Sequence, residues 1–341
     1  MLTIAAVLWC ASRAFAATCE SLLGVALPNT TVTIAKSIPA GAFTPPQGKA
    51  IEDLPGFCEV HGTIKPTDAS LIHFEVWLPA SKWNGKFEGV GNGALAGTIS
   101  FAAMATALRR GYATASTDTG HSAAESRAWL GNRERLIDYS YRSLHLTTTA
   151  AKAIINTYYG RNASYSYYTG CSTGGKQGLM EAQRFPADYD GIVAGDAANF
   201  WTHQMASEVW NGVVTGSPDT NLSQEKLQLI QNAVMPVCDA QDGIADGIIS
   251  DPMGCHFDPK KLLCKSGDGA NCLTAAQASA VEKIYIGPVN PRTGQKLYPG
   301  LYPGGELGWG KNGGEMVINR AATSGVSSSD FFRYALFRNP E

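Results

Sequence analysis

Gly170-Cys171-Ser172-Thr173-Gly174 sets one hydroxyl between glycines two residues away on either side. The pattern G-x-S-x-G is a nucleophile elbow when a strand precedes it and a helix follows, because the tight turn lifts the serine oxygen above the end of a sheet. Side chains at the two glycines would collide with the neighbouring strand and helix. The flanks have the required character: Tyr165-Ser-Tyr-Tyr-Thr169 is aromatic and strand-like, and Gly175 to Phe185 reads as a helix stopped by Pro186. Such a serine attacks an acyl carbon, and the oxyanion that forms needs N–H donors. One is the N–H after the nucleophile, here Thr173. The other comes from a Gly-rich loop after an earlier strand. Gly91-Asn92-Gly93-Ala94 is that candidate, with Gly93 as the donor.

In this kind of site the chain order is Ser, then Asp, then His. Of the six histidines (His61, His73, His121, His145, His203, His256), only His203 and His256 follow Ser172. His203 comes directly after the strand that follows the elbow, too early for the base. His256 lies in a cysteine-rich stretch. Both read as surface or structural residues. His121, in Asp118-Thr-Gly-His121, reads as lining the rim of the cleft. Ser172 therefore has no evident base within the chain.

The elements that must position these residues alternate. Ile72-His-Phe-Glu-Val-Trp-Leu78 has period two, Phe87 to Val90 is a second strand, and Gly111-Tyr-Ala-Thr-Ala-Ser-Thr117 a third. Asp138 to Tyr158 is helical with Gly160 as C-cap, and Asp190 to Gly195 is a buried strand. Residues 18–70 read as a loop-and-strand lead-in. Strands alternating with helices predict an α/β fold with a parallel sheet. From about residue 205 onward, two helices (Gln224–Met235 and Ala275–Tyr285) stand among Cys, Asp-Gly and Pro, which predicts a second domain without βα units. The expected division is residues 1–17 as leader, 18–204 as core and 205–341 as second domain.

Composition narrows the partners. With 341 residues, 16% charged and a net charge of −2, the chain has room for about two domains and no electrostatic drive toward nucleic acid or an anionic membrane surface. No stretch approaches the ~18 apolar residues of a spanning helix. The first residues, Met1-Leu-Thr-Ile-Ala-Ala-Val-Leu-Trp, followed by Ala14-Phe-Ala-Ala17, resemble a secretory signal peptide, which predicts a secreted protein (extracellular or periplasmic). Without the leader seven cysteines remain. Neighbour pairing predicts disulfides Cys238–Cys255 and Cys264–Cys272, with Cys19–Cys58 clamping the N-terminal segment. That leaves Cys171 unpaired beside Ser172. Asp239, Asp242 and Asp246 crowd onto two Asp-Gly turns, an all-oxygen set of the kind hard cations take, although the spacing is not that of an EF-hand.

Three long motifs carry a family resemblance: Tyr167-Tyr-Thr-Gly-Cys-Ser-Thr-Gly-Gly-Lys-Gln-Gly-Leu-Met-Glu through Gly195, Trp83-Asn-Gly-Lys-Phe-Glu-Gly-Val-Gly-Asn-Gly through Gly97, and Cys238-Asp-Ala-Gln-Asp-Gly-Ile-Ala-Asp-Gly through Pro252, with Cys272-Leu-Thr-Ala-Ala-Gln277 besides. Together they resemble the tannase/feruloyl esterase family of secreted serine carboxylic ester hydrolases. The resemblance implies an α/β-hydrolase core with an inserted lid domain, stabilised by disulfides and calcium. It implies hydrolysis of esters of aromatic acids of the gallic or hydroxycinnamic type, free or linked to polysaccharide or polyphenol, through an acyl-enzyme on Ser172. It further implies structural Ca²⁺ in the lid, on Asp239, Asp242 and Asp246 with the carbonyls of Ile244 and Ile248, and no organic cofactor.

The same family carries a second cysteine after the catalytic histidine, paired with the one before the nucleophile. Cys171 and Ser172 match the first half of that pattern, and the second half is absent. The expectation is a chain that stops inside the lid, with the last core strands, the catalytic Asp and the His missing. The competing expectation is a calcium-stabilised secreted binding module without a complete triad.

Overall fold

The computed structural model describes residues 17–46, 48–125, 127–310 and 327–338, so the expected leader lies outside the described residues except for Ala17. The chain divides into two compact units, residues 1–198 and 199–341.

The first unit is built on a mixed seven-stranded sheet, ordered β1-β4-β5-β7-β6-β8-β9. Its strands are β1 (Thr30–Ile38), β4 (Phe57–Ile64), β5 (Ile72–Pro79), β6 (Lys86–Val90), β7 (Ala113–Thr117), β8 (Tyr165–Cys171) and β9 (Gly191–Gly195). The short strands β2 (Gly41–Phe43) and β3 (Ile51–Leu54) pair separately. A parallel sheet with crossovers was expected. Only β7, β6, β8 and β9 run parallel, whereas β1–β4, β4–β5 and β5–β7 are antiparallel. The link Lys65–Leu71 between β4 and β5 is too short for a crossover, which needs a dozen residues or more, so those strands can only turn back. Residues 18–70 therefore supply two strands of the main sheet and are more than a lead-in.

Helices cover both faces. They are α1 (Phe101–Arg109), α2 (Arg133–Ile137), α3 (Ser143–Tyr159) and α4 (Thr173–Arg184). On β5, Phe74, Val76 and Leu78 join a core with Ala151, Ile154 and Ile155 of α3. Trp77 points the other way, into a cluster with Met104 and Leu108 of α1. That double burial explains why β5 is buried nearly from end to end, His73 excepted, although its sequence alternates through Glu75. Each fully buried side chain of this size is worth about 1.5–3 kcal/mol. The expected helix from Asp138 begins as a π-helical turn over Asp138–Arg142, where Arg142 Nε donates to Asp138 Oδ1 at 2.6 Å, and α3 proper ends at Gly160 with φ 68°.

The second unit contains no sheet among its described residues. Helices α5 (Trp201–Thr215), α6 (Gln224–Cys238) and α7 (Ala275–Ile286), with the short α8 (Ser327–Asp330), are joined by irregular chain. Helix α5 runs through the expected 204/205 boundary. Ser223 caps α6, and Thr274 with Gln277 forms a capping box on α7, each satisfying N–H groups that a helix start leaves open. Ile230, Val234, Val281, Ile284 and Trp309 make a small core beside Cys238–Cys255. The disulfides are Cys19–Cys58 in the first unit and Cys238–Cys255 and Cys264–Cys272 in the second; Cys171 is free and exposed. Among the described residues no helix is long and apolar enough to cross a membrane.

Candidate active site

Strand β8 runs directly into α4 with Ser172 between them. Ser172 adopts φ 58° and ψ −118°, a left-handed conformation that costs a side-chain-bearing residue about 1–3 kcal/mol and persists only where its surroundings enforce it. They do. Ser172 N–H donates to the Gly195 carbonyl at 3.1 Å, while the Ser172 carbonyl accepts from Lys176 N–H at 3.0 Å and Ala198 N–H at 3.1 Å. The glycines around Ser172 are sterically confined: a Cβ on Gly170 would stand 2.5 Å from the Gly174 carbonyl group, one on Gly174 would come 3.0 Å from the Asn92 carbonyl oxygen, and one on the next residue, Gly175, would overlap the Gly195 carbonyl oxygen.

The loop after β6 is knitted to the start of α4 by buried polar side chains. Asn92 N–H donates to Gln177 Oε1 at 3.2 Å, and Gln177 Nε2 returns the bond to Asn92 Oδ1 at 3.1 Å. Asn92 Nδ2 reaches the carbonyls of Thr98 and Thr117 at 2.7 and 2.8 Å. Thr173 Oγ1 donates to the Ala94 carbonyl, and Tyr168 Oη donates to the Gly174 carbonyl at 2.9 Å. This network ties the residues on both sides of Gly93 to α4, and a Cβ built on Gly93 would meet nothing within 4 Å. Among the described residues, neither the Gly93 nor the Thr173 N–H is used in a loop hydrogen bond. Asn92 and Gln177 were not singled out from sequence: they lie 85 residues apart, and only the polar residue between two glycines hinted at a role.

Among the described residues no histidine hydrogen-bonds the Ser172 hydroxyl. His61 is paired with Glu59, His73 with Asp118 and His145 with Asp188. His203 and His256 are exposed. His121, expected at the cleft rim, is buried: it is 2% exposed and stacks on Trp129 with ring centroids 3.8 Å apart. Burial pushes its imidazole down to about 4, so it is neutral at pH 7. Lys176, one turn beyond Ser172, holds its ammonium 4.1 Å over the Tyr139 ring, and burial lowers it to about 7.

In the second unit, Asp239, Asp242 and Asp246 lie on the turns that Gly243 (φ 95°) and Gly247 (φ 84°) allow. Asp239 accepts from Gly247 N–H at 3.0 Å, Asp242 from Ile244 N–H at 2.9 Å and Asp246 from Ile248 N–H at 3.0 Å. The donor set is oxygen alone on a tightly turning loop, which suits a hard cation. The three carboxylates are not gathered within ligand distance of one another; the two clusters that are, among the described residues, lie in the first unit.

The model of the family described as "Tannase and feruloyl esterase" matches residues 58–339. An uncharacterized esterase of Xanthomonas campestris pv. campestris is 43% identical over 290 residues, which are 84% of this chain and 50% of that protein. A probable feruloyl esterase B-2 of Aspergillus fumigatus is 32% identical over 353 residues, covering 100% of this chain and 66% of that protein. The crystal structure of feruloyl esterase B from Aspergillus oryzae superposes with a TM-score of 0.84 at 30% identity, over 94% of this chain and 65% of that one. The chain thus spans about half to two-thirds of the length of these relatives. Matched family model, curated relatives and superposed structure agree, and the chain belongs to the tannase and feruloyl esterase family.

Proposed function

We propose that the chain is the nucleophile-bearing part of a secreted serine carboxylesterase acting on esters of gallic- or hydroxycinnamic-type acids. The observation that carries the proposal is the enforced positive φ of Ser172 between β8 and α4, with the Gly93 loop fastened alongside. Ser172 Oγ attacks the ester carbonyl and forms an acyl-enzyme. The N–H groups of Thr173 and Gly93 receive the oxyanion, and water then releases the acid. The second unit serves as the substrate-selecting lid. Its acidic loop holds structural Ca²⁺ through Asp239, Asp242 and Asp246 with the carbonyls of Ile244 and Ile248; the ion would draw the carboxylates together and fix the loop. Three disulfides support an oxidising compartment.

Because no histidine reaches Ser172, the 341-residue chain is expected to turn over methyl ferulate and methyl gallate only weakly, and Ser172→Ala to remove what turnover there is. Release of the free acids, followed by chromatography for both proteins, is the test. Hydrolysis that persists unchanged in Ser172→Ala overturns the assignment.

A further inference from the structure

Glu181 lies in the last turn of α4, at the opposite end of that helix from Ser172. Its side chain is 1% exposed, and neither carboxylate oxygen is reached by a donor. What faces it is the carboxylate of Asp188, from the turn that leads into β9, and Asp188 Oδ2 in turn lies 2.6 Å from His145 Nδ1 on α3. The His145 ring is held flat against Phe185, with centroids 3.9 Å apart and planes 9° apart. Lys152 is the nearby cation, and its amine is already engaged by the Asp188 backbone carbonyl. A buried carboxylate with two empty oxygens is costly, and such groups in native proteins call for a proton, a water or an ion.

We propose that His145 Nδ1, Glu181 and Asp188 form a binding site for a divalent transition-metal ion, Zn²⁺ foremost, that pins α3, the end of α4 and the turn into β9 together. One ligand atom from each residue already lies within 4.8 Å of the other two. Ligands about 2.0–2.1 Å from a tetrahedral metal stand about 3.3 Å apart, so small side-chain rotations complete the set. One imidazole and two carboxylates suit Zn²⁺ and its first-row neighbours, with a fourth position left for water, and are too few in oxygens for Ca²⁺. Binding displaces any proton held between His145 and Asp188 or on Glu181, and involves no change of oxidation state. The second cluster, Glu59, His61 and Glu75, differs in one respect. There His61 meets Glu59 at 2.9 Å and Trp77 Nε1 donates to Glu75 at 3.1 Å, so every member has a hydrogen-bond partner.

The test is calorimetric titration of Zn²⁺ into the 341-residue protein in calcium-containing buffer after prior chelation. One equivalent is expected to bind, with affinity about 100-fold weaker or worse in Glu181→Gln and His145→Gln, and unchanged in His61→Gln and Ser172→Ala. The last comparison separates this site from the esterase assignment. Nitrogen-15 histidine NMR of the wild-type chain needs no variant: the His145 Nδ1 resonance should move on adding Zn²⁺. Absence of stoichiometric binding, binding that Glu181→Gln retains, loss in His61→Gln instead, or a His145 signal indifferent to Zn²⁺ each overturns the proposal.

Discussion

The two units solve the problem of staying folded by different means. In residues 1–198, seven strands exchange backbone hydrogen bonds and two helical layers bury large side chains on both faces, and the described residues hold one disulfide, which ties the segment before β1 to β4. In residues 199–341 no strand of the described chain belongs to a sheet, the core is one small cluster, and two disulfides close loops in the irregular part. A small core buries too little apolar surface to offset the entropy of long irregular chain, and covalent staples make up the difference by restricting the unfolded state. The geometry that chemistry needs most, around Ser172, is built on the hydrogen-bonded unit, where backbone positions are over-determined.

That contrast can be broken. Replacing both Cys238 and Cys255 with Ala opens a loop with a sequence separation of 17 and should cost the second unit about 3 kcal/mol. Hydrogen exchange of α6 and α7 should then quicken while β5 and α3 stay protected. Equal loss of protection in both units would show that they do not differ in this way. Chelation of calcium is expected to lower the melting temperature by about 5–10 °C if the ion was present at a hundredfold its Kd, with faster exchange confined to the turns around residues 239–248. Unchanged melting and exchange would remove calcium from the account. In the first unit, Gln177→Ala should cost about 1–3 kcal/mol by leaving Asn92 buried with unmet partners. A loss within 0.5 kcal/mol, measured by urea unfolding, would mean that the loop around Gly93 is held by other contacts.

The smallest expected effect depends on pH. Burial raises the Glu75 carboxyl to about 7, with the Glu59 charge adding to it while His61 and the Trp77 N–H oppose. The folded chain therefore keeps a proton that the unfolded chain gives up near the ordinary glutamate pKa. The stabilisation is complete below about pH 4.3 and fades as pH rises through 7. Glu75→Gln should match the wild type near pH 4 and exceed it above pH 7. A constant difference across that range would place the group's cost elsewhere.

Much of the site was legible because it is local. Gly170, Ser172, Gly174 and the strand and helix beside them fall within one short stretch, where steric rules act between near neighbours. The strands at 72–78 and 165–169 and the helix ends at Gly160 and Pro186 were readable for the same reason. Sheet direction was less so. Short alternations interrupted by Pro and Gly in residues 18–70 concealed β1 and β4, and only the brevity of Lys65–Leu71 could have disclosed that the chain turns back. The bonds from Asn92 to Gln177 and from Asp188 to His145 join side chains brought together by the crossovers, and no spacing rule reports them. His121 was misplaced because a polar residue after a strand reads as rim, whereas Trp129 and Tyr139 pack over it.

The change of direction within the sheet also bears on how the chain finds its fold. The antiparallel ladder of β4 with β5 joins residues as close as Ile64 and Ile72, whereas the side of β6 away from β7 must wait for β8, pairing Lys86 with Tyr165. Closing the longer loop demands more entropy before any contact rewards it. The early hairpin should act as a template that forms first, and the elbow should be among the last parts to assemble. A nascent chain would carry an unpaired parallel edge on β6 until β8 arrives, and that interval of synthesis is where the first unit is open to edge-to-edge association.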